Sequence, residues 1–189
     1  MSDLVDMIMS DHREVERLFD QLMQDPDKRA VVLPVVTALL IAHSRAEESE
    51  VYPAARDEAG AADEVEHSQA EHAEAEQLLE ELSSMDPDDA GFEAKLQELV
   101  DAVKHHVEEE ESTVLPGLRT QLSADRLAEL GEAFALQRAE HLGELPGEAT
   151  REELLEPAGN AAIDAASSTS KSQLTSALRA KAEEKESEG

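Results

Sequence analysis

Apolar residues in the first two thirds of the chain recur every three or four positions, which is the period of an amphipathic α-helix. Four such stretches are separated by short breaks rich in proline, aspartate or glycine: residues 3–24, 33–60, 62–84 and 91–114. The second helix should begin between Asp27 and Pro34; because a helix interior does not tolerate proline, we favour a start near Leu33 and a kink or restart at Pro53. Short connections make neighbouring helices antiparallel, so the pattern predicts an up-down-up-down four-helix bundle.

Two further segments follow these stretches. Ser123 is suited to cap a shorter fifth helix over residues 123–142. After Gly143 the periodicity weakens, and the run AGNAAIDAASSTSKS is small and polar. We therefore predict an all-α protein with a helical-bundle domain over residues 1–142 and a weakly structured, flexible or partly helical acidic tail over residues 143–189.

Composition narrows the possible functions. The 189 residues carry a net charge of −29 and no cysteine. A metal would therefore need histidine, carboxylate or tyrosine ligands, which suit iron, manganese or zinc. The negative charge opposes binding to nucleic acid or to anionic membranes. No apolar run approaches the ~20 residues of a membrane span, and the first residues lack the basic region of a signal peptide. We expect a cytoplasmic protein.

A set of histidine and glutamate residues occurs twice. HSRAEESEVYP at 43–53 and HVEEEESTVLP at 106–116 both place a glutamate four residues after a histidine. DHREVERLFDQL at 11–22 and EHAEAEQLLEEL at 71–82 both place one histidine on the apolar stripe. This repetition indicates two helical hairpins that each carry half of one site.

The acids of this repeat lie on faces that should be buried. Four-residue spacing places His43 with Glu47, and His106 with Glu110, on one face of a helix. A buried ionised carboxylate is costly unless it is paired or bound to a metal, and no lysine or arginine shares these stripes. We therefore predict a metal site inside the bundle, built from His12, His43, Glu47, His72, His106 and Glu110.

Other residues near the motifs are expected to lie outside the ligand set. His67 and His105 have acidic neighbours on their helix faces and should be solvated, and His141 lies on the fifth helix, outside the repeat. Glu48 and Glu111 follow the two glutamate ligands and should point beside the site or into solvent, since one residue is ~100° of helix rotation. Tyr52 lies about half a turn from His43 and should pack in the core.

These residues resemble the hemerythrin-like, His-His-Glu cation-binding family over residues 1 to about 120. The resemblance implies an antiparallel four-helix bundle with two non-haem iron ions; manganese or zinc is less favoured. It also implies that the four histidines are terminal ligands and that Glu47 and Glu110 are bridging carboxylates. Oxygen-carrying members have a further histidine one turn before the position of His72, where this chain has Ser68. This departure argues against simple oxygen carriage and implies a more open metal coordination.

The sequence thus predicts a protein that binds a small ligand, O₂, NO or H₂O₂, at a His/Glu centre with two metal ions. Two alternatives stay open: a peroxide-decomposing, catalase-like enzyme, and an iron-handling or structural bundle without catalysis. The sequence leaves the metal, the oligomeric state and the role of the tail undecided.

Overall fold

The computed structural model describes residues 3–188, and this part of the chain is all-α, without a β-strand. Its long helices are α1 (Leu4–Gln24), α2 (Arg29–Ala46), α4 (Ala62–Ser84), α5 (Phe92–Ser112), α7 (Ala124–Glu140) and α9 (Lys171–Glu188). The shorter ones are α3 (Tyr52–Asp57), α6 (Val114–Gln121) and α8 (Leu155–Asn160). A 3₁₀ turn at Pro26–Lys28 precedes α2, and a π-helical segment at Glu47–Val51 joins α2 to α3.

Helix starts follow the expected capping chemistry at two places. The Asp3 side chain accepts a hydrogen bond from the Asp6 N–H at the start of α1, and the Ser123 hydroxyl accepts one from the Arg126 N–H at the start of α7. The fifth helix predicted from Ser123 is therefore confirmed.

The second helix begins within the predicted interval from Asp27 to Pro34, but earlier than the favoured position near Leu33. Helix α2 begins at Arg29, and Pro34 lies inside it. Pro34 and Ala30 are both exposed, so water can hydrate the Ala30 carbonyl that the proline leaves without an N–H partner. The proline therefore costs less here than it would on the buried face of the helix.

The chain around Pro53 widens into a π-helical turn. The Tyr52 N–H donates to the Glu47 carbonyl, five residues back, and α3 begins at Tyr52. A π-helical turn contains more residues than an α-helical turn, so each residue rotates less about the axis. The side chains after Val51 consequently point in a different direction from those of an uninterrupted α-helix.

The stretch Pro26–Asp57 is long and apolar enough to span a membrane, and its most apolar 18 residues have a mean hydropathy of 1.4. In this fold 61% of those 18 residues are buried inside the protein. The stretch also carries His43 and Glu47, both buried. Its apolar character is therefore that of a core helix.

Two apolar clusters fill the interior. The first lies among α1, α2, α4 and α5 and includes Phe19, Leu79 and Leu96. The second joins the start of α1 to α3, α6 and α7 and includes Leu4 and Phe134. The predicted metal ligands fall between these clusters along the helices, so a polar layer divides the core.

The C-terminal segment is more extensively packed than its composition indicated. A third apolar cluster joins α8, α9 and the preceding loop and packs against Ala73 of α4. The Asn160 Nδ2 donates to the Glu48 carbonyl at 3.0 Å and to Gln69 Oε1 at 3.2 Å. Small residues allow α8 to approach α4 closely, and Leu174 and Leu178 supply buried apolar surface. The segment is thus partly helical, one of the two forms predicted for it, and the domain boundary near residue 142 stays a prediction.

Truncating Leu174 to alanine should lower the free energy of unfolding by about 2 kcal/mol or more, because its side chain is fully buried in the third cluster. Urea denaturation measures this change. Leu136→Ala is the matched control, since Leu136 is 71% exposed and its loss should cost less than about 0.5 kcal/mol. Equal effects of the two substitutions would show that the C-terminal segment does not dock on the bundle.

Candidate metal centre

The six residues predicted as metal ligands are all buried and meet in the polar layer. The histidines come from four different helices, α1, α2, α4 and α5, while Glu47 begins the π-helical segment and Glu110 lies in α5. Both glutamates are completely inaccessible to solvent. The structure thus brings together every residue of the predicted set: His12, His43, Glu47, His72, His106 and Glu110.

The ligand atoms form two groups that share Glu47. His12, His43 and Glu47 form one group, and Glu47, His72 and His106 form the other, each with its donor atoms within 4.8 Å of one another. Glu47 Oε2 lies 3.2 Å from His43 Nε2 and 3.4 Å from His72 Nε2. A carboxylate between two groups of imidazoles has the position required to bridge two ions.

Glu110 occupies the related position in the second hairpin. Its Oε2 lies 3.3 Å from His12 Nε2. The Nε2 atoms of His72 and His106 are 3.1 Å apart. All four rings therefore direct Nε2 towards the interior of the centre.

A carboxylate faces the outer nitrogen of each histidine ring. His12 Nδ1 donates to Glu111 at 2.9 Å and His106 Nδ1 donates to Glu71 at 2.9 Å. The Nδ1 atoms of the other two rings lie 3.3 and 3.4 Å from a carboxylate oxygen, and these pairs are His43 with Asp11 and His72 with Glu48. Such partners hold the proton on Nδ1 and leave the Nε2 lone pair for a metal.

These outer carboxylates follow the internal repeat. Asp11 and Glu71 immediately precede the first histidine of each hairpin, and each contacts the second histidine of the same hairpin. Glu48 and Glu111 immediately follow the predicted bridging glutamates, and each contacts the first histidine of the other hairpin. The expectation that the latter two lie beside the site is confirmed. Asp11 and Glu71 were missed, although the repeated acid-histidine pair was visible.

A buried arginine fixes one of these outer carboxylates. Arg45 donates to Glu48 at 2.9 Å and to Glu76 at 2.8 Å, and it is only 5% exposed. Gln69 Nε2 donates to the other oxygen of Glu48 at 2.7 Å. Burial opposes the charge of Glu48, but Arg45 and the other donors lower its pKa to about 2. Glu48 is therefore an ionised acceptor held rigidly behind His72.

The centre contains buried polar atoms that fit a cation. Within the described residues, the Nε2 atoms of His12 and His43 and both oxygens of Glu47 and Glu110 have no hydrogen-bond partner. Such atoms are costly in a protein interior. The Nε2 atoms of His72 and His106 lie only 3.1 Å apart, a distance that two bare lone pairs would not keep without a proton or a metal ion between or beside them. The donor set therefore fits metal ions bound by imidazole and carboxylate.

The pKa values of two histidines and one glutamate of the centre indicate that positive charge stabilises the buried acid. Burial opposes protonation of His43, but Glu47 and Asp11 raise its pKa to about 10. Burial likewise opposes protonation of His72, yet Glu47 and Glu48 raise its pKa to about 9. Burial raises the pKa of the Glu47 carboxyl, while His43 and His72 overcome that effect and hold it well below its ordinary value. Without a metal, protons on the imidazoles balance the buried acid.

Tyr52 packs in the second apolar cluster, as expected, but its hydroxyl also reaches the centre. The oxygen lies 3.1 Å from His72 Nε2. This contact depends on the π-helical segment, because the smaller rotation per residue turns Tyr52 towards the site. Burial first, and then the charges of Glu110 and Glu47, raise the pKa of Tyr52 well above its ordinary value. The hydroxyl therefore keeps its proton and can donate it.

The remaining histidines lie outside the buried centre. His67 and His105 are 40% and 58% exposed, in agreement with their predicted solvation. His141 Nδ1 pairs with Glu144 at 2.7 Å in the loop after α7. Ser68, which replaces the further histidine of oxygen carriers, is buried in α4.

Comparison with known proteins supports a cation-binding role. The family described as the hemerythrin HHE cation binding domain matches residues 3–118. A protein from Nostoc sp. (strain PCC 7120) named DNA nickase is 32% identical over 150 residues, which cover 78% of this chain and 42% of that relative. The chain thus spans less than half the length of this curated relative. No solved structure matches the chain.

The metal-free protein should lose stability as the pH rises. The pKa values of His43 and His72 in the folded protein, about 10 and about 9, exceed the ordinary value of 6.5, so their protonation stabilises the fold fully below pH 6.5. This contribution disappears as the pH rises through about 9 and 10. We expect the free energy of unfolding of chelator-treated protein, measured by urea denaturation, to fall by about 2 kcal/mol or more across this range. The metal-loaded protein is the control and should not show the fall, whereas constant stability of the metal-free protein would contradict the charge balance described above.

Proposed function

We infer the function from one premise: the chain belongs to the hemerythrin HHE cation-binding family. We propose that it holds two metal ions, both iron, and binds O₂, NO or H₂O₂ at them. In this proposal the four histidines are terminal ligands and the two buried glutamates bridge the ions: His12, His43, His72, His106, Glu47 and Glu110. We also propose that α1, α2, α4 and α5 run up-down-up-down around this centre.

The main observation in support of the proposal is that four imidazoles converge on two fully buried carboxylates. The inward nitrogens of His12 and His43 and the oxygens of both glutamates lack hydrogen-bond partners within the described residues, and the outer nitrogen of each of the four rings faces an acid. Glu47 belongs to both groups of donor atoms, which supports two neighbouring ions rather than one. Nitrogen and oxygen donors without thiolate suit iron, which supplies binding of diatomic gases and redox chemistry when present.

The space beside the centre favours a very small ligand. A cavity of about 20 Å³ adjoins the four histidines and is otherwise lined largely by aliphatic residues such as Val15, Leu40 and Val107. This volume is close to that needed for a single water-sized molecule. It suits a diatomic gas or a peroxide and is too small for an organic substrate.

Metal content and optical spectra test the proposal. Protein purified without added metal should contain iron, and its absorption spectrum should change reversibly with O₂ or NO. Glu110→Gln should lower the affinity for iron by about 10-fold or more, because it removes the charge of a buried ligand without changing its shape. Glu108→Gln is the matched control, since this neighbouring glutamate is exposed on the same helix and should leave iron content unchanged.

Two results would contradict parts of this proposal. Absence of bound metal in the wild-type protein would contradict the whole proposal. Bound iron without any spectral response to either gas would contradict the gas-binding part and would favour the iron-handling alternative. That alternative also predicts metal that exchanges readily with the solution.

A second candidate function, decomposition of hydrogen peroxide, is favoured by Tyr52. The reaction converts two H₂O₂ into O₂ and two H₂O, and it needs a proton donor beside the oxygen–oxygen bond that breaks. The protonated hydroxyl of Tyr52 lies 3.1 Å from His72 Nε2, which places a donor at the edge of the centre.

For this candidate, Tyr52→Phe should lower the rate of O₂ evolution by about 10-fold or more while iron content stays unchanged, because the substitution removes only the proton donor. His106→Ala should abolish iron-dependent O₂ evolution, whereas His141→Ala, outside the centre, should not. An oxygen electrode measures the rates. Activity equal to that of free iron would exclude this function.

We do not propose that this chain nicks DNA, which is the activity in the relative's name. Nicking DNA requires contact with a polyanion, and this chain has a net charge of −29. The matched residues also cover only 42% of the relative. We therefore propose that this chain does not bind nucleic acid.

A further inference from the structure

Two solvent-accessible histidines, half-buried His67 and exposed His105, belong to a second mixed cluster on the outer face of α4 and α5. His67 and Glu71 lie one turn apart on α4, and His105 and Glu109 lie one turn apart on α5. The donor atoms of these four residues all lie within 4.8 Å of one another. Two histidine-glutamate pairs from different helices thus meet at one point on the surface.

The distances in this cluster lie on either side of the separation between ligands of a tetrahedral ion. His67 Nε2 lies 2.7 Å from Glu109 Oε2 and 3.7 Å from Glu71 Oε1. His105 Nε2 lies 3.3 Å from Glu109 Oε1 and 3.8 Å from Glu71 Oε1. Ligands about 2.1 Å from a tetrahedral zinc ion are separated by roughly 3.4 Å, which lies within this range.

The related place in the first hairpin carries a fixed positive charge. Asp11 precedes His12 as Glu71 precedes His72, and each contacts the outer nitrogen of a buried histidine. Arg138 Nε lies 2.6 Å from Asp11 Oδ2 and supplies a cation there. Beside Glu71 the structure has two imidazoles, which are metal ligands when neutral.

We propose that His67, Glu71, His105 and Glu109 form a surface site for a divalent transition-metal cation, separate from the buried centre. Two imidazole nitrogens and two carboxylate oxygens suit Zn²⁺ and similar borderline cations. Exposure of both histidines gives the ion direct access from solvent.

Glu71 links this surface site to the buried centre. Its Oε1 faces His67 and His105, while its Oε2 accepts the hydrogen bond from His106 Nδ1 at 2.9 Å. A cation on Oε1 withdraws electron density from Glu71 and weakens that hydrogen bond. The surface ion is therefore expected to alter the environment of His106 without contacting it.

Zinc binding to the full-length protein tests the site. After dialysis against graded concentrations of free Zn²⁺, the wild-type protein should retain one more zinc per chain than the double variant His67→Asn/His105→Asn. Because the result is a difference between two proteins, it does not depend on whether the buried centre holds iron. Equal zinc content of the two proteins would overturn the proposal.

A matched pair of charge variants separates coordination from general attraction to an acidic surface. Glu109→Gln should weaken binding of the additional zinc by about 10-fold or more. Glu108→Gln removes the same charge from an exposed neighbour and should weaken it by less than about 2-fold. Equal effects of the two substitutions would show that only the surface charge attracts the ion.

Nuclear magnetic resonance of the imidazole nitrogens in the wild-type protein provides a test that needs no variant to fold. Addition of Zn²⁺ should shift the Nε2 signals of His67 and His105 together, and the Nδ1 signal of His106 by a smaller amount. Signals of His67 and His105 that do not respond to zinc would contradict the site.

Discussion

The structure depends on accommodating two carboxyl groups in a place that water does not reach. Glu47 and Glu110 are fully buried, and within the described residues neither forms an ion pair with lysine or arginine. Burying each charge costs several kcal/mol unless positive charge lies beside it. Positive charge is available there from protonated His43 and His72 or from a cation bound by the imidazoles. The same requirement explains why the polar layer is continuous and why the apolar core consists of separate clusters above and below it.

The inner part of the centre could be predicted from the sequence because unpaired acids are rare on apolar stripes and because the set occurs twice. Spacing alone placed His43 with Glu47 and His106 with Glu110, and helix period placed His12 and His72 on the same buried faces. The all-α fold followed from the same periodicity. The start of α2 was less predictable, since a proline is tolerated within a helix where the affected carbonyl faces solvent.

The surroundings of the centre could not be predicted in the same way. Which acid faces which ring depends on how the helices are aligned with one another, and spacing within one helix carries no information about that alignment. The contact of Tyr52 depends on a π-helical turn, which an ideal helix projection does not contain. The packing of the C-terminal segment was underestimated because alanine buries little surface and resembles a linker in composition, although Leu174 and Leu178 complete an apolar face.

The duplicated hairpins are similar in their inner ligands but different in what surrounds them. Tyr52 stands just before Pro53, and the same position before Pro116 is the apolar Leu115, so one half of the centre has a hydroxyl that the other half lacks. The chain also forms a π-helical turn just before Pro53, whereas before Pro116 one α-helix ends at Ser112 and the next begins at Val114. The Tyr52 hydroxyl lies on the His72 side of the centre, and the position before Pro116 supplies no counterpart to it. Two similar sets of buried histidine and glutamate side chains thus have different surroundings, and this difference arises from backbone geometry and a single side chain.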